Sequence, residues 1–171
     1  MNWVDIVVII ILIVTFLGGL KEGAVKSLFS LIALLIAIPL AGRYSYLLAD
    51  LLSFLPGTNW EGFFGFFITM GIISVILWLI FLLPRKIIEK IPFPKIISRL
   101  VGAVLNVLGA AISLVVFVLV LQTYPIFDWL ERWVSSSDVL MSMMEIFSFV
   151  QVMLPEALRQ AAPLVTIITG T

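Results

Sequence analysis

Few side chains in this sequence are equipped for chemistry. The 171-residue chain has no His and no Cys, which removes the usual general base at neutral pH, thiol nucleophiles and the commonest zinc ligands. No phosphate-binding glycine loop, pair of catalytic carboxylates or serine with a basic partner stands in a suitable context. We therefore expect a protein without enzymatic activity, cofactor or metal.

Three polar side chains that interrupt apolar segments remain as candidates: Asp5, Arg43 and Asn106. A charge within a membrane span is expensive and often marks the path of an ion or a proton. Asp5 follows Trp3 in a first helical turn, and Arg43 stands beside two tyrosines, so both fit the membrane interface. We expect structural roles there. The alternatives are ion movement for Asp5 and substrate binding for Arg43.

The elements that must position these residues are membrane-spanning helices. Hydrophobic residues make up 63% of the chain and charged residues 12%, whereas about a quarter of a soluble protein is charged. Crossing the hydrocarbon takes about 20 apolar residues in a helix. We predict an all-α integral membrane protein. Its four transmembrane helices occupy residues 1–124, and amphipathic interfacial helices follow in 125–171. The predicted spans are about 3–20, 25–47, 62–83 and 100–122, the first an uncleaved helix.

The charge distribution predicts an orientation. Lysine plus arginine equals aspartate plus glutamate, so we expect no nucleic-acid partner. Lys21 and Lys26 stand between spans 1 and 2, and five basic residues fall within 85–99, whereas the 2–3 loop holds Asp50 and Glu61. Loops rich in lysine and arginine stay in the cytoplasm. Both termini are therefore predicted to lie outside.

The basic stretch 85–99 also has a local pattern. In "RKIIEKI" the isoleucines share one helical face, which predicts a short surface helix with Pro84 in its first turn that stops at Pro92 and Pro94. Basic residues near a membrane surface attract anionic lipid by about 1 kcal/mol each. We expect this loop to bind anionic headgroups.

The segment after span 4 predicts two amphipathic helices. Residues 126–134 combine one apolar face with Asp128, Glu131 and Arg132, and "SSSD" offers an N-cap for a helix over about 138–153. The second helix is short for a span and carries Glu145 near its middle. We expect interfacial or re-entrant packing. A fifth span is the alternative, and it would place the C-terminus inside.

Small residues recur at intervals that stack them on one helix face. Such faces let membrane helices approach closely, and Asn106 adds a possible interhelical hydrogen bond. We expect packing within the bundle, and a homo-oligomer interface is the alternative. Gly18, Gly19 and Gly23 are expected to permit the turn between spans 1 and 2. The stacked residues are Gly71 and Ser74 in span 3, and Gly102, Asn106, Gly109, Ala110 and Ser113 in span 4.

Four stretches together carry a family resemblance. They are "NWVDIVVIIILIVTFLGGLKEGAVKSLFSL", "AGRYSYLL", "IIEK" and "SRLVGAVLNVLGAAI". Over roughly residues 2–122 the chain resembles the colicin V production protein (CvpA) family of bacterial inner-membrane proteins. The resemblance implies an accessory role linked to the production or export of a peptide toxin and to envelope integrity, without an established biochemical activity.

The resemblance also marks individual positions. Members of that family typically enter span 4 with an Asp-Arg pair, two glycines four residues apart and a later basic residue. Arg99 and Gly102 match this pattern, whereas Ser98, Asn106 and Gly109 replace the acid, the second glycine and the basic residue.

After span 1, Gly23 and Lys26 match the family, and Ser27 stands where an acid usually follows. The candidate interaction or packing residues are Lys21, Gly23, Lys26, Arg99, Gly102, Asn106 and Gly109.

Two functions are therefore expected. The first is a non-enzymatic accessory protein whose cytoplasmic loops and outer tail contact lipid or a partner such as an export-machinery protein. The alternative is a small channel or transporter, which we expect to be a homo-oligomer because four spans alone enclose little water.

Overall fold

The computed structural model describes residues 3–51, 58–88, 94–124 and 128–153. These ranges contain helices and no strand, as the all-α prediction requires. Four of the described helices, α1 to α4, are long and apolar enough to cross a membrane. The fold class is thus confirmed. The helices are α1 (Trp3–Glu22), α2 (Ala24–Leu51), α3 (Thr58–Ile88), α4 (Lys95–Thr123), α5 (Asp128–Ser135), α6 (Asp138–Ile146) and α7 (Phe149–Met153).

The long helices extend beyond the apolar segments that predict them. At about 1.5 Å per residue, the 31 residues of α3 span about 46 Å, which exceeds the roughly 30 Å of hydrocarbon. Helix α4 begins at Lys95, so Lys95 and Arg99 lie on its first turns and not in a loop. The helices therefore carry their flanking charged residues into the headgroup region.

The structure corrects the prediction of a separate surface helix after Pro84. Helix α3 passes through Pro84 and ends at Ile88, so residues 85–88 continue a membrane-spanning helix. Proline removes one backbone donor, but the other hydrogen bonds of a long helix can maintain its path. The predicted stop at Pro92 lies outside the described residues.

Helix α4 is the centre of the bundle. It packs against both α1 and α2, while α3 packs mainly on α2, so the helices follow the order α3, α2, α4, α1. In the most apolar 18-residue stretch of α4, 44% of the residues are buried, compared with 11% in the corresponding stretch of α3. Although only Gly23 separates α1 from α2, these two helices make few contacts with each other. They diverge on either side of α4.

The tail helices pack on the ends of α1 and α4. Helix α5 confirms a helix over most of 126–134, of which 126 and 127 lie outside the described residues. The single helix predicted at 138–153 is wrong, because the chain turns at Phe147 and Ser148 between α6 and α7. The Ser148 N–H bonds the Glu145 carbonyl, three residues back, which tightens the chain and ends the α-helical ladder.

Neither α6 nor α7 is long enough to be a fifth span. The nine residues of α6 extend about 14 Å, and α7 has five residues. Leu140 and Met144 of α6 are buried, so this helix lies against the protein. At the C-terminal end of α4, the ring of Tyr124 packs on Gly62 of α3, and burial raises the pKa of the Tyr124 hydroxyl, which stays protonated at neutral pH.

Candidate functional sites

Most of the candidate interaction residues lie at one end of the bundle, where α1 ends and α2 and α4 begin. We call this end, with Lys21, Lys26, Lys95 and Arg99, the basic end. The side chains of Lys21, Lys95 and Arg99 are exposed, and Lys26 forms an ion pair with Glu22 one helical turn away. Three cations are thus presented outward from two different helices.

Gly23 makes the turn at the basic end. Its φ of +78° lies in the left-handed region, where a side chain is disfavoured, as the sequence predicts for this position. The Gly23 N–H bonds the Gly19 carbonyl at 3.0 Å, and the Ala24 N–H bonds the Ser98 hydroxyl at 3.1 Å. Ser98, which stands where the family typically has an acid, therefore ties the start of α2 to the start of α4.

Gly19 and Gly102 form the crossing of α1 and α4. A Cβ atom built on Gly102 would lie 2.5 Å from the Gly23 carbonyl carbon, and one built on Gly19 would lie 2.5 Å from the Ala103 Cα. Backbone thus contacts backbone, the close approach that small residues permit between membrane helices. The prediction that Gly19 serves the turn is corrected, because Gly19 serves this crossing. Gly18 faces the Asn106 amide instead, at 3.6 Å from its own built Cβ.

Asn106 makes the interhelical hydrogen bond that its position predicts. Its Nδ2 donates to the Thr15 carbonyl of α1 at 3.3 Å. Asn106 therefore links α4 to α1 within the bundle, as does the contact of Gly102.

Gly71 of α3 differs, because it is exposed and no atom of another part of the protein lies within 4 Å of its built Cβ. Gly102 and Asn106 of α4 thus serve packing within the bundle, whereas Gly71 lies on the outer surface.

A cavity of about 240 Å³ lies where α1 and α2 diverge over α4, and we call it the α4 cleft. A Cβ built on Gly109 would only touch Leu31 and Leu34, at 3.7 and 3.9 Å, so the glycine leaves room here. Ser27 is 1% exposed and lines the cleft, yet the sequence patterns single it out only as a departure from the family. The lining residues are Thr15, Ser27, Ser30, Leu31, Leu34, Leu105, Asn106, Gly109, Ala110 and Ser113.

A second cavity, of about 330 Å³, lies between α2 and α3. Its walls are mostly apolar and aromatic, and Lys26 stands at the basic end of it. Ser30 and Leu34 border both cavities, so these meet along one edge of α2.

Asp5 is the polar residue whose environment differs most from its prediction. The sequence places it at the membrane interface, but its side chain is fully buried within the protein. Its Oδ1 accepts a hydrogen bond from the Ser137 hydroxyl at 2.5 Å and one from the Val139 N–H at 3.3 Å. Ser137 is also the N-cap of α6, since its hydroxyl accepts from the Leu140 N–H. A carboxylate is well placed at a helix N-terminus.

These features define a class of protein: a multi-pass α-helical membrane protein with an exposed basic end, a neutral polar cleft and a tail fastened to its first helix. The chain belongs to the colicin V production protein family, whose model matches residues 4–148. The match extends beyond the four long helices into α5 and α6. No curated protein and no solved structure matches the chain significantly.

Proposed function

We propose that this chain is a non-enzymatic membrane accessory protein that docks a partner at the basic end. The supporting observation is that Gly23, Ser98 and Gly102 hold the α1–α2 turn against the start of α4, beside the exposed Lys21 and Arg99. A docking site gains affinity when its groups are held in place before binding. By family, the role concerns toxin production or export and envelope homeostasis.

The chemistry of the basic end indicates an anionic partner surface. An arginine fork binds carboxylate or phosphate in a bidentate manner, and a lysine adds a point charge. An acidic face on an export-machinery protein provides such groups, and so do anionic lipid headgroups. The bilayer would supply the lipid contact, and the protein partner would supply the specificity.

Affinity purification tests the docking proposal. We expect a partner to co-purify with the wild-type protein at native expression in mild detergent, and Arg99→Ala to reduce its recovery at least tenfold. Arg43→Ala is the matched control, since Arg43 is also exposed but lies toward the opposite end of α2. Mass spectrometry identifies the partner. If Arg99→Ala and wild type recover the same proteins, docking through this residue is excluded.

The proposed location is the bacterial inner membrane, with the basic end in the cytoplasm and the termini outside. Because the chain has no native Cys, single cysteines report orientation without interference. In intact cells, an impermeant thiol reagent is expected to label Ser136→Cys near α6 and to label Lys95→Cys only after permeabilisation. Both side chains are exposed. The reverse labelling pattern would invert the proposed orientation.

The α4 cleft favours a second candidate function, a small homo-oligomeric channel or transporter. A cavity with hydroxyl and amide groups inside a membrane bundle is a feature of solute pathways. If purification recovers only this protein in a defined multiple, solute flux in liposomes becomes the deciding measurement. An inert protein in that assay counts against a channel.

A further inference from the structure

Several hydroxyl groups in the long helices form hydrogen bonds within their own helix. Thr15, Thr69 and Thr123 each donate to a backbone carbonyl three or four residues back, which is the usual arrangement in a helix. Three serines, Ser27, Ser30 and Ser113, line the α4 cleft. The cleft therefore has hydroxyl groups from both α2 and α4 in its walls.

Ser27 is the most informative of the three. Its side chain is 1% exposed, and its Oγ has no hydrogen-bond partner in the described part of the chain. A buried polar group without a partner is unfavourable and rare in native proteins. Because Ser27 borders the α4 cleft, a molecule in the cleft can supply the missing hydrogen bond.

The lining of the cleft limits the chemistry of that molecule. None of the ten lining residues carries a charge, so an ion would lose its hydration without gaining a counter-charge. An acyl chain would leave the hydroxyl of Ser27 unpaired. A hydroxyl compound both donates and accepts, and therefore matches serines on α2 and α4 and the amide of Asn106.

The size and access of the cleft agree with such a ligand. Its volume of about 240 Å³ is several times the roughly 30 Å³ that one water molecule occupies. Ser30 is exposed on the cleft wall, where α1 and α2 diverge. We propose that the α4 cleft is a hydrated binding site for small uncharged hydroxyl compounds of the short polyol class. This site is independent of docking at the basic end.

Cysteine reactivity tests whether the cleft is hydrated. Thiols react as thiolates, and an apolar surrounding suppresses ionisation. In proteoliposomes, we expect a small hydrophilic methanethiosulfonate to label Ser113→Cys at least tenfold faster than Leu108→Cys. Leu108 is exposed on the same helix, nearer the basic end, and does not line the cleft. Equal rates would show a dry cleft and overturn the proposal.

Protection by glycerol tests the ligand class. We expect glycerol to slow the labelling of Ser113→Cys in a saturable manner, whereas potassium chloride of equal osmolality does not. Adding Ser27→Ala is expected to raise the half-protecting glycerol concentration at least threefold. Rapid labelling that glycerol does not change would mean that the cleft holds water only, and would overturn a polyol site.

The Ser27→Ala protein also provides a control on folding. Its melting temperature without glycerol is expected to match or fall below that of wild type, because hydrogen bonds to molecules in the cleft are lost. A rise in melting temperature would mean that Ser27 is an unsatisfied group in an empty cavity, and would contradict the proposal.

Discussion

Replacing Gly102 with leucine is expected to leave little stably folded protein. Its built Cβ would lie 2.5 Å from the Gly23 carbonyl carbon and 2.8 Å from the Gly19 carbonyl oxygen. Both contacts are to backbone, so no side chain can rotate away. Overpacking usually costs about 1–3 kcal/mol, and this rigid contact belongs at or above the upper end of that range. To admit the leucine side chain, α1 and α4 must move apart where they cross.

Thermal unfolding in detergent measures this effect. A loss of about 3 kcal/mol corresponds to a fall of about 6–12 °C in melting temperature for a chain of this length. The matched control is Gly71→Leu, which adds the same side chain in open space on α3. We expect the control to melt within about 2 °C of wild type. Equal melting temperatures for the two variants would rule out a tight crossing at Gly102.

Replacing Asp5 with alanine is expected to release the N-terminus of α6 from α1. The Asp5 carboxylate accepts hydrogen bonds from the Ser137 hydroxyl and the Val139 N–H. Bonds to a charged group are worth about 1.5–3 kcal/mol each, so their loss raises local opening by roughly tenfold or more. Hydrogen exchange of the Val139 and Leu140 amides reports this opening directly, since both take part in the network.

Two other variants separate the carboxylate from a general effect on α6. Asp5→Asn keeps an oxygen acceptor and is expected to give an intermediate exchange rate. Glu145→Gln removes an exposed charge from α6 and is expected to leave both amides unchanged. If Asp5→Ala does not accelerate exchange but alters proton flux in liposomes, Asp5 belongs to an ion path instead.

The predictable part of this fold is what apolar length and local pattern determine. A membrane helix must satisfy its own backbone, so the runs in α1 to α4 specify spans without knowledge of their partners. The left-handed conformation of Gly23 could also be predicted locally, because glycine favours it and a short turn between two helices requires it. The N-cap at Ser137 also follows from local sequence, within the stretch "SSSD".

The unpredicted part depends on which helices meet. Nothing in the spacing around Asp5 reveals a hydroxyl 132 positions later, and nothing around Gly19 shows that Gly102 faces it. At Pro84 the local sequence predicts a helix boundary that the structure does not have, because α3 continues through Pro84 to Ile88. Burial of Ser27 likewise arises only when α2 packs on α4.

Two positions at which the sequence departs from the family pattern lie together in the folded chain. The resemblance described above implies an acid at the position of Ser27 and a basic residue at that of Gly109, and both residues line the α4 cleft. Because neither is charged here, the cleft is neutral.

The hydrogen bond between Asp5 and Ser137 also affects the order in which the helices can assemble. Asp5 lies in the first of the long helices, whereas Ser137 follows all four of them in the sequence and is therefore synthesised after them. The hydrogen bond between the Asp5 carboxylate and the Ser137 hydroxyl cannot form before Ser137 has been synthesised. Fastening of α6 is therefore a late event in assembly.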